Sequence, residues 1–499
     1  MKYSMIIIFI LTTISCINCQ QNLNNGTMNV NIKFPKGFLF SAATASYQIE
    51  GAWNVSGKGE NIWDRIVHTD PSFIYNKENG DVASDSYHKY KEDVQLLKYI
   101  GFDFYRFSLS WARILPRGTK DFVNKPGIDY YNDLIDDLLA NGIEPMVSLY
   151  HWDLPQHLED RGGWLNATII QFFEDYANVV FSAFGDRVKW WLTINEPISI
   201  TSGYGTTELA PALNLHGTGD YLSGHNLLRA HAKVYHLYDK MFKPKQKGRV
   251  SFAMNGEFSF PRKNTIDDYN AAERWNQFSL GWFLHPVYSA TGDYPPVMRD
   301  YIDRNSASEG RAFSRLPYFT EQEIKEIRGT YDYLALNHYS STLATTGVSG
   351  EQPSRIRDAN VQLSFDPKWP TSQSPWLRVV PVGFRKVLNW VKDQYNNPQV
   401  FITENGFSDY NITKDYGRIS YYESYLSNLS AAMYEDGCNV FGYTAWSLID
   451  NFEWRAGYSQ RFGIVQVDFD DPNRPRTKKA SAEFFKQLIA QQKMGSTRK

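Results

Sequence analysis

Val400-Phe401-Ile402-Thr403-Glu404-Asn405-Gly406 decides how this chain is read. Four strand-favouring residues run into a carboxylate, and Asn-Gly, a turn-forming pair, ends the strand at once. An ionised acid at the end of an apolar strand is costly unless something holds it there. Taken alone, the heptamer fits a salt-bridged structural glutamate. A second stretch of the same design, Lys189-Trp190-Trp191-Leu192-Thr193-Ile194-Asn195-Glu196-Pro197, changes that reading. It is again an apolar strand ending in Glu, with an amide before the acid and a proline to stop the strand.

Working outward, strands and helices alternate along the chain. Expected strands are Phe38–Thr44, Asp103–Ser108, Ile143–Tyr150, Lys189–Asn195, Arg249–Asn255, Tyr331–Asn337, Gln399–Glu404 and Val440–Trp446. Apolar positions at helical spacing predict helices over Lys89–Ile100, Tyr130–Asn141, Ile169–Phe184, Gly224–Met241, Glu321–Arg328, Val382–Gln394, Tyr421–Glu435 and Lys479–Gln491. Eight strand–helix units without a glycine-rich phosphate turn after the first strand predict an α/β fold, a single (β/α)8 TIM barrel. The long segments Asn255–Thr320 and Ser340–Pro381 read as loop insertions at the C-terminal face, since no linker marks a second domain. The expected organisation is a signal peptide over 1–19, a loose segment over 20–33, the barrel over 34–491 and a polar tail over 492–499. Acids in Asp85–Asp93 and Asp129–Asp137 read as solvated helix faces.

Side chains at the C-terminal ends of barrel strands share one mouth. The polar residues expected there are Gln48 after the first strand, Arg106 on the second, His151 after the third and Asn195 with Glu196 on the fourth. Asn337 on the sixth, Glu404 on the seventh and Trp446 on the eighth complete the rim. Two carboxylates facing one mouth form the pair that glycoside cleavage uses: with a gap of about 5 to 5.5 Å, one attacks and the other protonates the leaving oxygen. Arg106 would keep one of them ionised, and Asn195 can bond a sugar 2-hydroxyl. The chain has no His-Glu-x-x-His, Gly-x-Ser-x-Gly or P-loop motif, so zinc protease, serine hydrolase and nucleotide chemistries are not indicated.

Lys+Arg number 52 against 54 Asp+Glu, and no basic stripe is visible, which argues against nucleic acid or an anionic membrane as partner. Met1–Gln20 carries one lysine and the apolar run Met5–Leu11, the form of a secretory signal cleaved near Cys19, so a secreted, extracellular product is expected. Its removal would take Cys16 and Cys19 and leave Cys438 alone, without an intrachain disulfide. Sequons at Asn25, Asn54, Asn166, Asn411 and Asn428 suit an exported glycoprotein. The oligomeric state is open, a homodimer included.

Four stretches resemble the signatures of glycoside hydrolase family 1, the β-glucosidase and myrosinase family, in an animal-type secreted form. They are Phe38-Leu39-Phe40-Ser41-Ala42-Ala43-Thr44-Ala45-Ser46-Tyr47-Gln48-Ile49-Glu50-Gly51, Thr193-Ile194-Asn195-Glu196-Pro197, Ile402-Thr403-Glu404-Asn405-Gly406 and Trp446-Ser447-Leu448-Ile449-Asp450-Asn451-Phe452-Glu453-Trp454. The resemblance runs from about Phe34 to about Ile489. It implies that Glu404 is the nucleophile, Glu196 the acid/base, and Arg106 and Tyr339 the groups that position Glu404. It further implies that Gln48, His151, Asn195, Glu453 and Trp454 hold the terminal sugar over Trp446, with Asn337 a pocket amide and Trp376 an aglycone wall. Glu453 and Phe462 imply an unphosphorylated sugar, because a carboxylate repels a 6-phosphate. A small glycoside substrate is expected, with no cofactor and no metal. Plant thioglucosidases of this family replace the acid by Gln. Glu196 is present here, so O-glycosides are the default, although a thiolate leaves without much acid help and S-glycosides stay open. A catalytically silent sugar-binding barrel is the reading from another class.

Overall fold

The computed structural model describes residues 32–495. The expected signal peptide, Asn25 and the tail from 496 onward lie outside these residues.

Eight parallel strands close a barrel: β1 (Leu39–Ala43), β2 (Phe104–Ser108), β3 (Glu144–Tyr150), β4 (Trp190–Asn195), β5 (Arg249–Asn255), β6 (Leu334–Asn337), β7 (Val400–Asn405) and β8 (Val440–Trp446). Each strand pairs with its sequence neighbours, and β1 closes the ring on β8 from Leu39 opposite Gly442 to Ala43 opposite Trp446. The principal return helices are α1 (Ser86–Ile100), α2 (Lys125–Ala140), α3 (Ile169–Phe184), α4 (Gly219–Leu237), α5 (Glu321–Ile327), α6 (Pro381–Gln394), α7 (Tyr416–Tyr434) and α8 (Ala480–Gly495). All eight expected strands and helices are present, with ends shifted by up to a few residues. Local chemistry sets several of those ends. Gly101, at φ 93°, stops α1, a proline opens α2, and Thr320 with Glu323 forms a capping box on α5.

The barrel interior is filled by Phe104, Met146, Leu192, Ala253, Tyr333, Ala335 and Phe401, a cluster separate from the larger core between strands and helices. At its N-terminal end the Arg249 guanidinium lies 5.0 Å from the Trp190 ring centroid and 5.3 Å from that of Tyr333. The floor is therefore plugged, and only the opposite face is open to a ligand.

The two long insertions are not structureless. Phe258–Pro261 from the first pairs in parallel with Ser341–Thr346 from the second, and Val361–Ser364 adds an antiparallel strand. This small sheet ties both insertions together over one side of the mouth. The expected boundaries of the barrel also move. Ile32 and Phe34 are buried, and Gln492 bonds both Ile32 O and Phe34 N, so residues 32–34 are fastened to the barrel rather than loose. Helix α8 continues to Gly495, past the start expected for the tail. Asp93 corrects the reading of its helix face as solvated: it is buried and accepts from Ser86 Oγ and Arg476. Cys438 is a buried free thiol, and among the described residues no helix is long and apolar enough to cross a membrane.

Candidate active site

A cavity of about 840 Å³ opens at the C-terminal ends of the strands. Both carboxylates line it, and each is aimed there by a break in its strand's ladder. On β4, Leu192 points into the barrel, and strict alternation would turn Ile194 inward next. A register shift between Leu192 and Asn195 turns Asn195 inward and leaves Ile194 in the outer core. On β7 a shift between Ile402 and Glu404 does the same for Glu404. Glu196 then takes a left-handed conformation, φ 50° and ψ 70°, before Pro197 starts the next helix.

The two acids have different partners. Arg106, buried on β2, donates Nη1 to Glu404 Oε1 at 2.6 Å and to Thr403 O at 2.8 Å. Tyr339 donates its hydroxyl to Glu404 Oε2 at 2.6 Å. Burial pushes the Glu404 carboxyl up, and the Arg106 charge and the Tyr339 hydroxyl oppose that by holding its ionised form. Glu196 meets only neutral donors: Asn337 Nδ2 reaches its Oε1 at 2.9 Å and Ser199 Oγ its Oε2 at 2.9 Å. Burial, with the Glu404 charge second, raises its carboxyl to about 7. Glu404 also ends above its ordinary value, but it alone bonds a cation that favours its charged form, whereas Glu196 keeps its proton toward neutrality.

Asn195 links the two halves. Its Oδ1 accepts from Arg106 Nη2 at 2.5 Å and from Asn337 Nδ2 at 3.1 Å, which turns its Nδ2 toward His151 Nε2 at 3.1 Å. Nε2 is thus an acceptor, the imidazole carries its proton on Nδ1, and burial with the Arg106 charge lowers its pKa well below the usual value. The Asn337 amide is locked in turn by Thr403 Oγ1, which donates to its Oδ1 at 2.7 Å.

At the cavity floor His151 stacks between Trp446, with centroids 5.9 Å apart, and Trp454, at 6.0 Å. Glu453 lines the cavity beside them, and burial, with Glu404 second, raises its carboxyl to about 8. Gln48 lies just behind this wall. Its Nε2 donates to Asn451 Oδ1, Phe452 O and Glu453 Oε2, while its buried Oε1 has no partner. Trp376 is 41% exposed and stacks on Phe462, and both pack at right angles to Tyr339, forming an outer aromatic wall. The expected residues therefore gather around one cavity, with Gln48 and Arg106 in its backing layer rather than its lining.

Sequence reasoning missed Ser199, Asn255, Trp152 and Thr403. Ser199 sits one helical turn after Glu196, a spacing that brings side chains together and would have found it. Trp152 Nε1 donates to Asn195 O at 3.0 Å, and nothing in the local sequence signals that. Of the sequons, Asn54, Asn166 and Asn411 are exposed, whereas Asn428 is half-buried on α7 and donates to Ser424 O. No group of His, Cys, Asp and Glu suited to a metal ion occurs among the described residues.

A family model described as glycosyl hydrolase family 1 matches residues 30–494. Myrosinase 1 of Brevicoryne brassicae is 53% identical over 463 residues, covering 92% of this chain and 99% of that protein. The solved structure titled aphid myrosinase superposes with a TM-score of 0.90 at 53% identity, over 92% of this chain and 99% of that one. A rice β-glucosidase variant, solved in a covalent complex with glucose, gives a TM-score of 0.85 at 41% identity, over 91% and 98% of the two chains.

Proposed function

Because the chain belongs to glycosyl hydrolase family 1 and is a retaining β-glycosidase, we propose that it releases terminal β-D-glucose from small glycosides, β-fucosides and β-galactosides being further substrates, with Glu404 as nucleophile and Glu196 as acid/base. The observation that carries these roles is the asymmetry of the two buried acids. Glu404 is clasped by Arg106 and Tyr339, whereas Glu196 is held by uncharged donors and raised to about 7.

In the first step a Glu404 carboxylate oxygen bonds to the anomeric carbon as the glycosidic C–O bond breaks, and the Glu196 proton passes to the departing oxygen. In the second, ionised Glu196 takes a proton from water, the water oxygen bonds to the anomeric carbon, and Glu404 leaves as carboxylate. Two inversions give net retention. The His151 Nδ1–H supplies a donor and Glu453 a carboxyl partner for sugar hydroxyls over the Trp446 and Trp454 faces, with Gln48 bracing Glu453 from behind.

The test is hydrolysis of aryl β-glucosides. Glu404→Ala abolishes turnover of every glycoside. Glu196→Ala costs about 10²- to 10⁴-fold on poor leaving groups and little on very good ones. Wild-type rates in Glu404→Ala would refute the roles assigned.

A second reading, cleavage of S-glucosides, is favoured by the 53% identity to an aphid myrosinase. A thiolate leaves with little acid help, so Glu196→Ala would spare a thioglucoside while slowing its oxygen counterpart. The apolar run Met5–Leu11 and the exposed sequons at Asn54, Asn166 and Asn411 support a secreted glycoprotein. A mass loss on enzymatic deglycosylation of the secreted chain tests that.

A further inference from the structure

Ser199 and Asn255 form a short polar chain behind Glu196 on the side away from Asn337. Ser199 Oγ lies 2.9 Å from Glu196 Oε2, and Asn255 Nδ2 lies 3.0 Å from Ser199 Oγ. Both residues line the cavity, and Asn255 Oδ1 is a buried acceptor without a partner. As these bonds stand, both Glu196 oxygens accept, which is the arrangement for ionised Glu196. A glutamic acid needs one partner that can accept instead. Asn337 cannot supply it, because its Oδ1 is engaged by Thr403 and only its Nδ2 faces Glu196 Oε1. A serine hydroxyl can reverse, since it is donor and acceptor at once.

We propose that Ser199 is a positioning residue for the acid/base: it receives the Glu196 proton's hydrogen bond on Oε2 in the acid form and donates back to Oε2 once the proton has left. In the acid form Glu196 Oε2–H donates to Ser199 Oγ, and the serine hydrogen turns to Asn255 Oδ1 after the amide rotates end for end. When the proton passes to the leaving oxygen, the serine hydrogen returns to Oε2 and Asn255 Nδ2 supports Oγ, as in the structure. No proton is gained or lost by Ser199 or Asn255; only the direction of two hydrogen bonds changes.

The inference rests on the acid/base role proposed above for Glu196. The other charged or titratable groups around this carboxyl are Glu404, Arg106, Tyr339, Glu453 and His151. None of them can replace Ser199, because none hydrogen-bonds Oε2 among the described residues. A hydrogen bond to the charged form is about twice as strong as one to the neutral form, so the serine favours ionised Glu196 on balance.

The experiment is the pH profile of kcat/KM for an aryl β-glucoside with a poor leaving group, run on wild type, Ser199→Ala, Ser199→Thr and Asn255→Ala. Loss of the serine donor is expected to move the alkaline limb up by about one pH unit. The weaker acid is expected to slow the poor leaving group about 3- to 10-fold on the plateau and to leave a very good leaving group unchanged. Ser199→Thr, which keeps the hydroxyl, restores both. Asn255→Ala moves the limb the same way by less, and it keeps the test open should Ser199→Ala fold poorly. An alkaline limb that stays put or moves down in the alanine variants overturns the proposal. A wild-type enzyme that cleaves no glycoside would instead overturn the functional reading beneath it.

Discussion

Two buried carboxylates, Glu196 and Glu404, and the half-buried Glu453 share one cavity, and their protonation ties catalysis to stability. Burial raises Glu196 to about 7 and Glu453 to about 8, above the carboxyl value of an unfolded chain. A raised carboxyl favours the folded state while protonated in both states; that contribution is whole below about pH 4 and is lost as pH climbs through 7 and 8. Glu453→Gln is therefore expected to stabilise the protein by roughly 3 kcal/mol at pH 8.5 and much less at pH 5, while weakening glucoside turnover. Thermal melts at the two pH values read the difference, and an equal gain at both would refute the assignment. Tyr339→Phe removes a charge-assisted bond to Glu404, for a loss of about 10- to 100-fold in kcat. Because that donor holds the Glu404 carboxyl down, its loss moves the acid limb of the pH profile upward, which a rate profile will show.

At the scale of elements, the strands were readable because their patterns are local. An apolar run with a turn signal needs no partner to be recognised, and an acid at its end announces a site. What escaped reading depends on distant segments. The sheet of Phe258–Pro261, Ser341–Thr346 and Val361–Ser364 joins residues some eighty positions apart, as Ser259 and Thr342 do, through strands of a few residues each. Asp93 looked solvated because its partner, Arg476, stands 383 residues later. The register shifts that aim Asn195 and Glu404 were equally hidden, since they belong to a pair of strands rather than to either one. Strand contacts also set a test. A Cβ on Gly442 of β8 would meet the Phe401 ring of β7 at 2.4 Å. Gly442→Ala is expected to cost about 1–3 kcal/mol, read as a lower urea midpoint.

At the scale of the whole molecule, a buried ion network closes the barrel behind the outer aromatic wall. Arg418 on α7 pairs with Asp409 at 2.6 Å and Asp415 at 2.8 Å, and it donates to the carbonyls of Phe407, Arg461 and Phe462. Lys479, just before α8, pairs with Asp450 at 2.9 Å. The network joins the loop after β7, the loop carrying Phe462 and the start of the last helix, so three C-terminal segments are fastened together beside the cavity. Replacing one partner leaves buried charge uncompensated. Arg418→Met is expected to cost about 3–5 kcal/mol, seen as a lower melting temperature, and to raise KM through the displaced Phe462 wall.

The left-handed backbone of Glu196 bears on how such a gene can evolve. Only glycine adopts that conformation without strain, so the acid is retained against the local preference of the chain. Glutamate and glycine codons differ by one base. A lineage released from selection for turnover therefore has a short route to a robust, silent homologue, and loss of catalysis here need leave no mark on expression or shape.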